Sequence, residues 1–242
     1  MDVVNLTEEL KIIHEDNHIL VAVKPQNMPS QPDESGDPDI TAYLRDYLKE
    51  KYAKEGEAYL GSIHRLDRPA GGVMVFAKTS KAAARLTEAL QAGEIDKKYL
   101  AVVVGTPREK QAKLVHYLKK NAATNSVRVV PQLTEGAKYA ELDYSVLSVK
   151  GALSLLKINL ITGRGHQIRV QLSTIGNPIC GDLRYGYRGK AETKLALWAY
   201  ELRFTHPVTQ ERLVFRVYPP EDELPWDRFD LDAHLKLSIK NN

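Results

Sequence analysis

Short apolar runs without charge, punctuated by turn residues, constrain this chain most. Residues 19–23, 73–77 and 99–104 carry none of the polar alternation of a half-exposed strand. They are also too short for a buried helix, so each reads as a strand covered on both faces. Residues 139–149 and 153–161 read as an antiparallel hairpin turning near Lys150-Gly151. There Leu156, Ile158 and Leu160 alternate with Lys157 and Asn159, giving one buried and one wetted face. Residues 195–204 and 213–217 supply further strands.

Helical periodicity is confined to three places. Ile40, Tyr43, Leu44, Tyr47 and Leu48 recur at helical spacing, with Asp37 or Asp39 available as a cap. Thr79-Ser80 caps an alanine-rich helix that runs through Leu86 and Leu90 and stops at Gly93. Ile168, Leu172 and Ile175 lie on one face of a helix over 166–175, closed by Gly176. Strands outnumber helices and connect locally, so the expected class is α+β, a mixed, mostly antiparallel sheet with flanking helices and loops. No linker divides the sequence. The expected organisation is one domain over 1–232 and a tail over 233–242.

Of the 242 residues, 43% are hydrophobic and 27% charged, enough for a packed core and incompatible with global disorder. No apolar run approaches the ~20 residues that span a bilayer. Met1-Asp2-Val3-Val4 lacks the charged start of a secretory signal. Cys180 is the single cysteine, which excludes an internal disulfide framework and an all-cysteine metal cage. The default expectation is a cytoplasmic monomer with no membrane association and no obligatory protein partner.

Net charge is only +3, but it is unevenly spread. Between Lys97 and Thr134 eight basic side chains face one acid, Glu109. Arg164, Arg169, Arg184, Arg188 and Lys190 face only Asp182. Such asymmetry can build a positive face for a polyanion, or simply a solvated surface.

Two stretches carry candidate chemistry. In Ser62-Ile63-His64-Arg65-Leu66-Asp67-Arg68-Pro69-Ala70-Gly71-Gly72, Asp67 sits on a loop entering the strand at Val73. A carboxylate between guanidinium groups is held charged, and it can act as nucleophile, base or structural ion pair. In Ile161-Thr162-Gly163-Arg164-Gly165-His166-Gln167-Ile168-Arg169, glycines lead into a helix start rich in hydrogen-bonding side chains. That arrangement suits phosphate or surface ion pairs equally. His64 and Asp67 alone make a poor metal site, and no metal is expected.

Taken together, His64-Arg65-Leu66-Asp67 and Gly163-Arg164-Gly165-His166-Gln167-Ile168-Arg169 resemble the two signature motifs of the RluA family of RNA pseudouridine synthases. Lys24-Pro25 with Pro32 resembles that family's first motif, and Lys97-Lys98-Tyr99-Leu100-Ala101 the segment carrying its tyrosine. Gly176-Asn177-Pro178-Ile179-Cys180-Gly181-Asp182 with Tyr185-Gly186 resembles the loop after its arginine helix. Leu197 through Phe204 to His206-Pro207 resembles its penultimate strand. These pieces occur in the family's order over roughly residues 10–220. Ala70-Gly71-Gly72 departs from the usual Thr-Ser-Gly, Asn27 stands where glycine is usual, and Trp198 where histidine is common. No S4 RNA-binding domain is expected before the catalytic domain.

The resemblance implies isomerisation of uridine in ribosomal or transfer RNA, without cofactor or metal. It makes Asp67 the catalytic carboxylate and Arg169 the group that holds it charged and oriented. It makes Tyr99 the residue that stacks on the detached uracil. Arg65, His64, Arg164, His166, Gln167 and Lys24 are the implied substrate or RNA contacts. A non-catalytic RNA-binding or ribosome-assembly factor on the same fold is the alternative. A retaining glycosidase would need a second carboxylate ~5 Å from the first, which the motifs do not offer.

Overall fold

The computed structural model describes residues 10–53 and 55–235. The chain forms two compact units that exchange segments: one holds the residues up to Lys97 together with Ala199–Val217, the other Lys98–Trp198 together with the residues from Tyr218 on. Two of the three crossings fall inside strands, β5 (Asp96–Val104) and β10 (Leu197–Thr205), so no linker composition marks them.

In the first unit, β1 (Ile12–Glu15), β2 (Ile19–Lys24) and β4 (Gly71–Ala77) are neighbours in that order. β10 (Leu197–Thr205) lies beside β4 and carries β11 (Arg212–Arg216), and β3 (Gly61–Ser62) also pairs with β4. Every residue of β2 and β4 is buried, as expected of the charge-free runs 19–23 and 73–77, and the burial extends to Lys24. Antiparallel pairing sets Ile19 opposite Ala77 and Lys24 opposite Gly72. α1 (Ile40–Lys51) buries Ile40, Leu44 and Leu48, and Asp39 rather than Asp37 caps it through the Thr41 and Ala42 N–H groups. α2 (Ser80–Gln91), capped by Thr79, brings Ala82 and Leu86 onto a core of Val21, Val73, Val75, Leu202 and Phe204.

Gly72 shows why a small residue is needed there. Its φ is +128°, and a Cβ would lie 2.3 Å from the Ala199 carbonyl oxygen, so the backbones of β4 and β10 approach closely only over glycine.

The second unit holds β5 (Asp96–Val104, from Lys98 on), β6 (Gln111–Asn121), β7 (Ser126–Val130), β8 (Lys138–Lys150) and β9 (Leu153–Leu160). They lie in the order β5-β9-β8-β6-β7, every neighbouring pair antiparallel. The expected hairpin is β8–β9, turning at Gly151 with φ +59°. α3 (Gln167–Thr174) buries Val170 against Leu118, Val127 and Ala140.

Four strands lay outside the sequence expectation: β1, β3, β6 and β7. Only Leu114 and Leu118 are buried on β6, and only Val127 on β7, so neither shows an apolar stripe. α4 (Leu231–Leu235) occupies the start of the expected tail, and residues 236–242 lie outside the described residues.

Candidate active site

The loop carrying Asp67 joins β3 to β4. It is held by side chains from the end of β2 and the segment that follows it. Lys24 is fully buried, and its Nζ donates to the carbonyls of Pro25 at 2.9 Å, Met28 at 2.7 Å and Arg68 at 3.1 Å. Gln26 Nε2 donates to the Pro69 carbonyl at 3.1 Å. Ser30 Oγ donates to the Leu66 carbonyl at 2.8 Å and accepts the Leu66 N–H at 3.1 Å. The loop closes with Ala70 N–H donating to the Asp67 carbonyl at 2.9 Å. Both residues flanking Asp67 are thus pinned through their carbonyls, and Asp67 itself is half-buried.

Burial pushes the Lys24 ammonium down to about 7, against the opposing attraction of Asp67. Its protons are spent on carbonyls, so Lys24 cannot be the RNA contact expected from the sequence; it is an internal clamp. Arg68 also departs from expectation. Its guanidinium turns to Asp37, Asp33, Ser35 Oγ and the Asn27 carbonyl.

His64 likewise faces inward. Val75 N–H donates to its Nε2 at 3.2 Å, which leaves the ring proton on Nδ1, and Nδ1 is buried without a partner among the described residues. Burial, helped by the charge of Lys97, lowers the imidazole to about 4, so the ring is neutral at physiological pH. His64 ties the loop to β4. Arg65, next in the chain, is exposed and free to meet a ligand.

In the second unit Arg169 projects from α3, a helix whose residues Gln167–Leu172 are all buried. Its guanidinium meets Asp182 at two points, Nε to Oδ2 at 2.7 Å and Nη2 to Oδ1 at 2.8 Å, and lies 5.0 Å from the Tyr185 ring centroid. Asp182 also accepts the Tyr185 N–H at 3.3 Å and caps the short 3-10 turn Leu183–Tyr185. Sequence reading named Asp182 and Tyr185 only as part of a matching loop; the sole signal for their pairing with Arg169 was the isolated acid among basic residues.

Gln167 is buried, and its amide is consumed internally. Oε1 accepts from Thr162 Oγ1 at 2.7 Å and from Arg164 N–H at 3.0 Å, while Nε2 donates to the Glu141 carbonyl at 3.0 Å. The expectation that it touches RNA gives way to a role in shaping the glycine-rich turn. Arg164 is exposed, with Nε donating to the Tyr139 carbonyl at 2.9 Å. His166 begins α3 in the left-handed region, φ 52°, with Nδ1 2.7 Å from the Tyr185 hydroxyl. Tyr99, on β5, is 6% exposed and registers opposite Ile158.

Among the described residues no group of three or more His, Cys, Asp or Glu side chains could hold a metal ion. Burial pushes the Cys180 thiol up to about 11, which leaves it protonated and unsuited to nucleophilic work. No helix of the described residues is long and apolar enough to cross a membrane.

Comparison with known proteins fits this geometry. The family model described as RNA pseudouridylate synthase matches residues 18–174. An uncharacterized RNA pseudouridine synthase of Bacillus subtilis is 33% identical over 88% of this chain and 70% of its own length. Ribosomal large subunit pseudouridine synthase D of Vibrio parahaemolyticus is 33% identical over 88% of this chain and 68% of its own. Among solved structures, human RNA pseudouridylate synthase domain containing 4 superposes with a TM-score of 0.75 at 25% identity, covering 89% of this chain and 91% of that one. The chain therefore belongs to the RluA family of RNA pseudouridine synthases, isomerases that act on uridine in RNA.

Proposed function

We propose that this enzyme isomerises a uridine of large-subunit ribosomal RNA in the cytoplasm, acting as a monomer without cofactor, with Asp67 as the catalytic carboxylate. The observation that carries the role of Asp67 is the clamp on its loop. Buried Lys24, Gln26 and Ser30 fix the backbone on either side, and the carboxylate is left half-exposed. A positioned carboxylate of this kind can attack C1′ or remove a sugar proton. The N1–C1′ bond breaks, the uracil turns, C5 bonds to C1′, the C5 proton leaves and N1 gains one.

The target must first leave the RNA stack, at a cost of a few kcal/mol that phosphate contacts offset. Exposed Arg65 and Arg164 and the basic β6–β7 hairpin are proposed for those contacts. Tyr99 is proposed to stack on the freed uracil, and Arg169 to be a further catalytic residue. The ribosomal target draws on the names of the synthase D and C relatives. Pseudouridine mapping in RNA from cells lacking the gene tests it: a site in large-subunit RNA should vanish and return with the wild-type gene. It should not return with Asp67→Asn, whose product should still bind RNA. A lost site in transfer RNA would refute the ribosomal target, and an active Asp67→Asn enzyme the role of Asp67.

A further inference from the structure

We infer that Tyr185 is a positioning residue that couples the basic β6–β7 hairpin to Arg169. This rests on the reading of the chain as an enzyme that grips RNA with that hairpin. Tyr185 sits where three elements converge. Its hydroxyl accepts the Val127 N–H of β7 at 2.9 Å and lies 2.7 Å from His166 Nδ1, the residue that begins α3. Its ring lies 5.0 Å from the Arg169 guanidinium, and its backbone N–H rests on Asp182, which holds Arg169 at two points.

A phenol offers one donor and two acceptor positions, so both bonds can be made at once only in a narrow range of geometry. Any shift of β7 moves the Val127 N–H and must be followed by the hydroxyl or break that bond. The ring carries the shift toward Arg169, because Tyr185 is fixed at its other end by Asp182.

The hairpin has reason to shift when RNA arrives. Lys119 and Arg128 stand directly opposite each other across β6 and β7, and Thr124 and Asn125 at its tip supply carbonyls to Arg184. Like charges facing across a ladder repel, and a phosphate between them removes that repulsion. RNA binding at the hairpin would then reach Arg169 through one hydroxyl. A residue that only packed would lack this arrangement, since Phe fills the same ring volume.

The test is a double-mutant cycle on single-turnover pseudouridine formation at saturating RNA, with affinity measured separately. Arg128→Ala should weaken RNA binding and slow the saturated rate about tenfold in the wild-type background. Tyr185→Phe should slow that rate about tenfold with little change in affinity. In the double variant, Arg128→Ala should still weaken binding but slow the rate no further. Multiplying rate effects, a Tyr185→Phe rate equal to wild type, or unchanged affinity for Arg128→Ala would each overturn the coupling. A wild type inactive on RNA would instead overturn the functional reading. Should Tyr185→Phe fail to fold, hydrogen exchange on the unaltered protein decides: RNA must change protection at Val127 and in the first turn of α3 together, and a change at β7 alone refutes the coupling.

Discussion

Lys24 donates from a fully buried ammonium to the carbonyl of Arg68 across 3.1 Å, so the residue after Asp67 is anchored from the end of β2. Lys24→Met keeps most of the volume and removes the donors to the Pro25, Met28 and Arg68 carbonyls. Unsatisfied buried groups cost about 1–3 kcal/mol each, partly recovered by relaxation, so a net loss of about 2–4 kcal/mol is expected. Urea denaturation measures it. Pseudouridine formation should fall more than tenfold with RNA affinity nearly unchanged, because the clamp positions the loop and does not touch RNA.

Gly72→Ala should be among the most damaging single changes in the first unit. The added methyl meets the Ala199 backbone at 2.3 Å on a φ of +128°, with no flexible side chain to yield. Strain and clash together should exceed about 3 kcal/mol, seen as insoluble protein or a much lower melting temperature. Gly71→Ala, one residue earlier, tests whether position or mere loss of glycine matters.

Asn27 holds a left-handed conformation, φ 65°, where the family usually has glycine. Asn27→Gly should be neutral or stabilising by up to about 1 kcal/mol, because relief of the side-chain strain competes with added unfolded-state entropy. A loss above that, by chemical denaturation, would show that the asparagine side chain is needed.

Two groups give acid sensitivity in successive, slightly overlapping windows. His64 titrates at about 4 in the folded protein, below its ordinary 6.5, because burial disfavours the cation. The unfolded chain binds that proton first, so stability present at neutral pH is lost as pH falls from 6.5 toward 4, on the order of 2–3 kcal/mol. Burial pushes the Glu15 carboxyl up, but hydrogen bonds from Lys51, Lys78, Tyr52 and Tyr47 outweigh it and hold it at about 2. Its contribution is present above 4.5 and disappears as pH falls from there toward 2. Stability against pH should lose the upper step in His64→Gln and the lower one in Glu15→Gln.

What the sequence made legible follows from where burial coincides with apolar residue type. β2 and β4 were readable because every position is covered and apolar but one. The exception, Lys24, is the residue whose role was misread: a lysine announces solvent, and nothing in its neighbours says that three carbonyls await it. Gln167 repeats the point, a polar side chain inside a helix buried on every side. The β6–β7 hairpin failed in the opposite sense. Exposed or only partly buried at all but three positions, it has no apolar alternation to betray it, and its lysines and arginines read as charge rather than as strand. For the proposed site, the two motifs drew attention to Asp67 and Arg169, while the Asp182 and Tyr185 contacts of Arg169 depend on a turn that spacing cannot resolve.

The place of β10 beside β4 has a bearing on how the polypeptide is made. A nascent chain that has emerged only as far as Trp198 holds β2, β3 and β4 but not the strand that seals the start of β4, so the amide and carbonyl groups around the Gly72 notch lack their partner strand. The first unit cannot close until nearly the whole sequence has left the ribosome, and until then that open edge is what chaperones, or other unfinished copies, would meet.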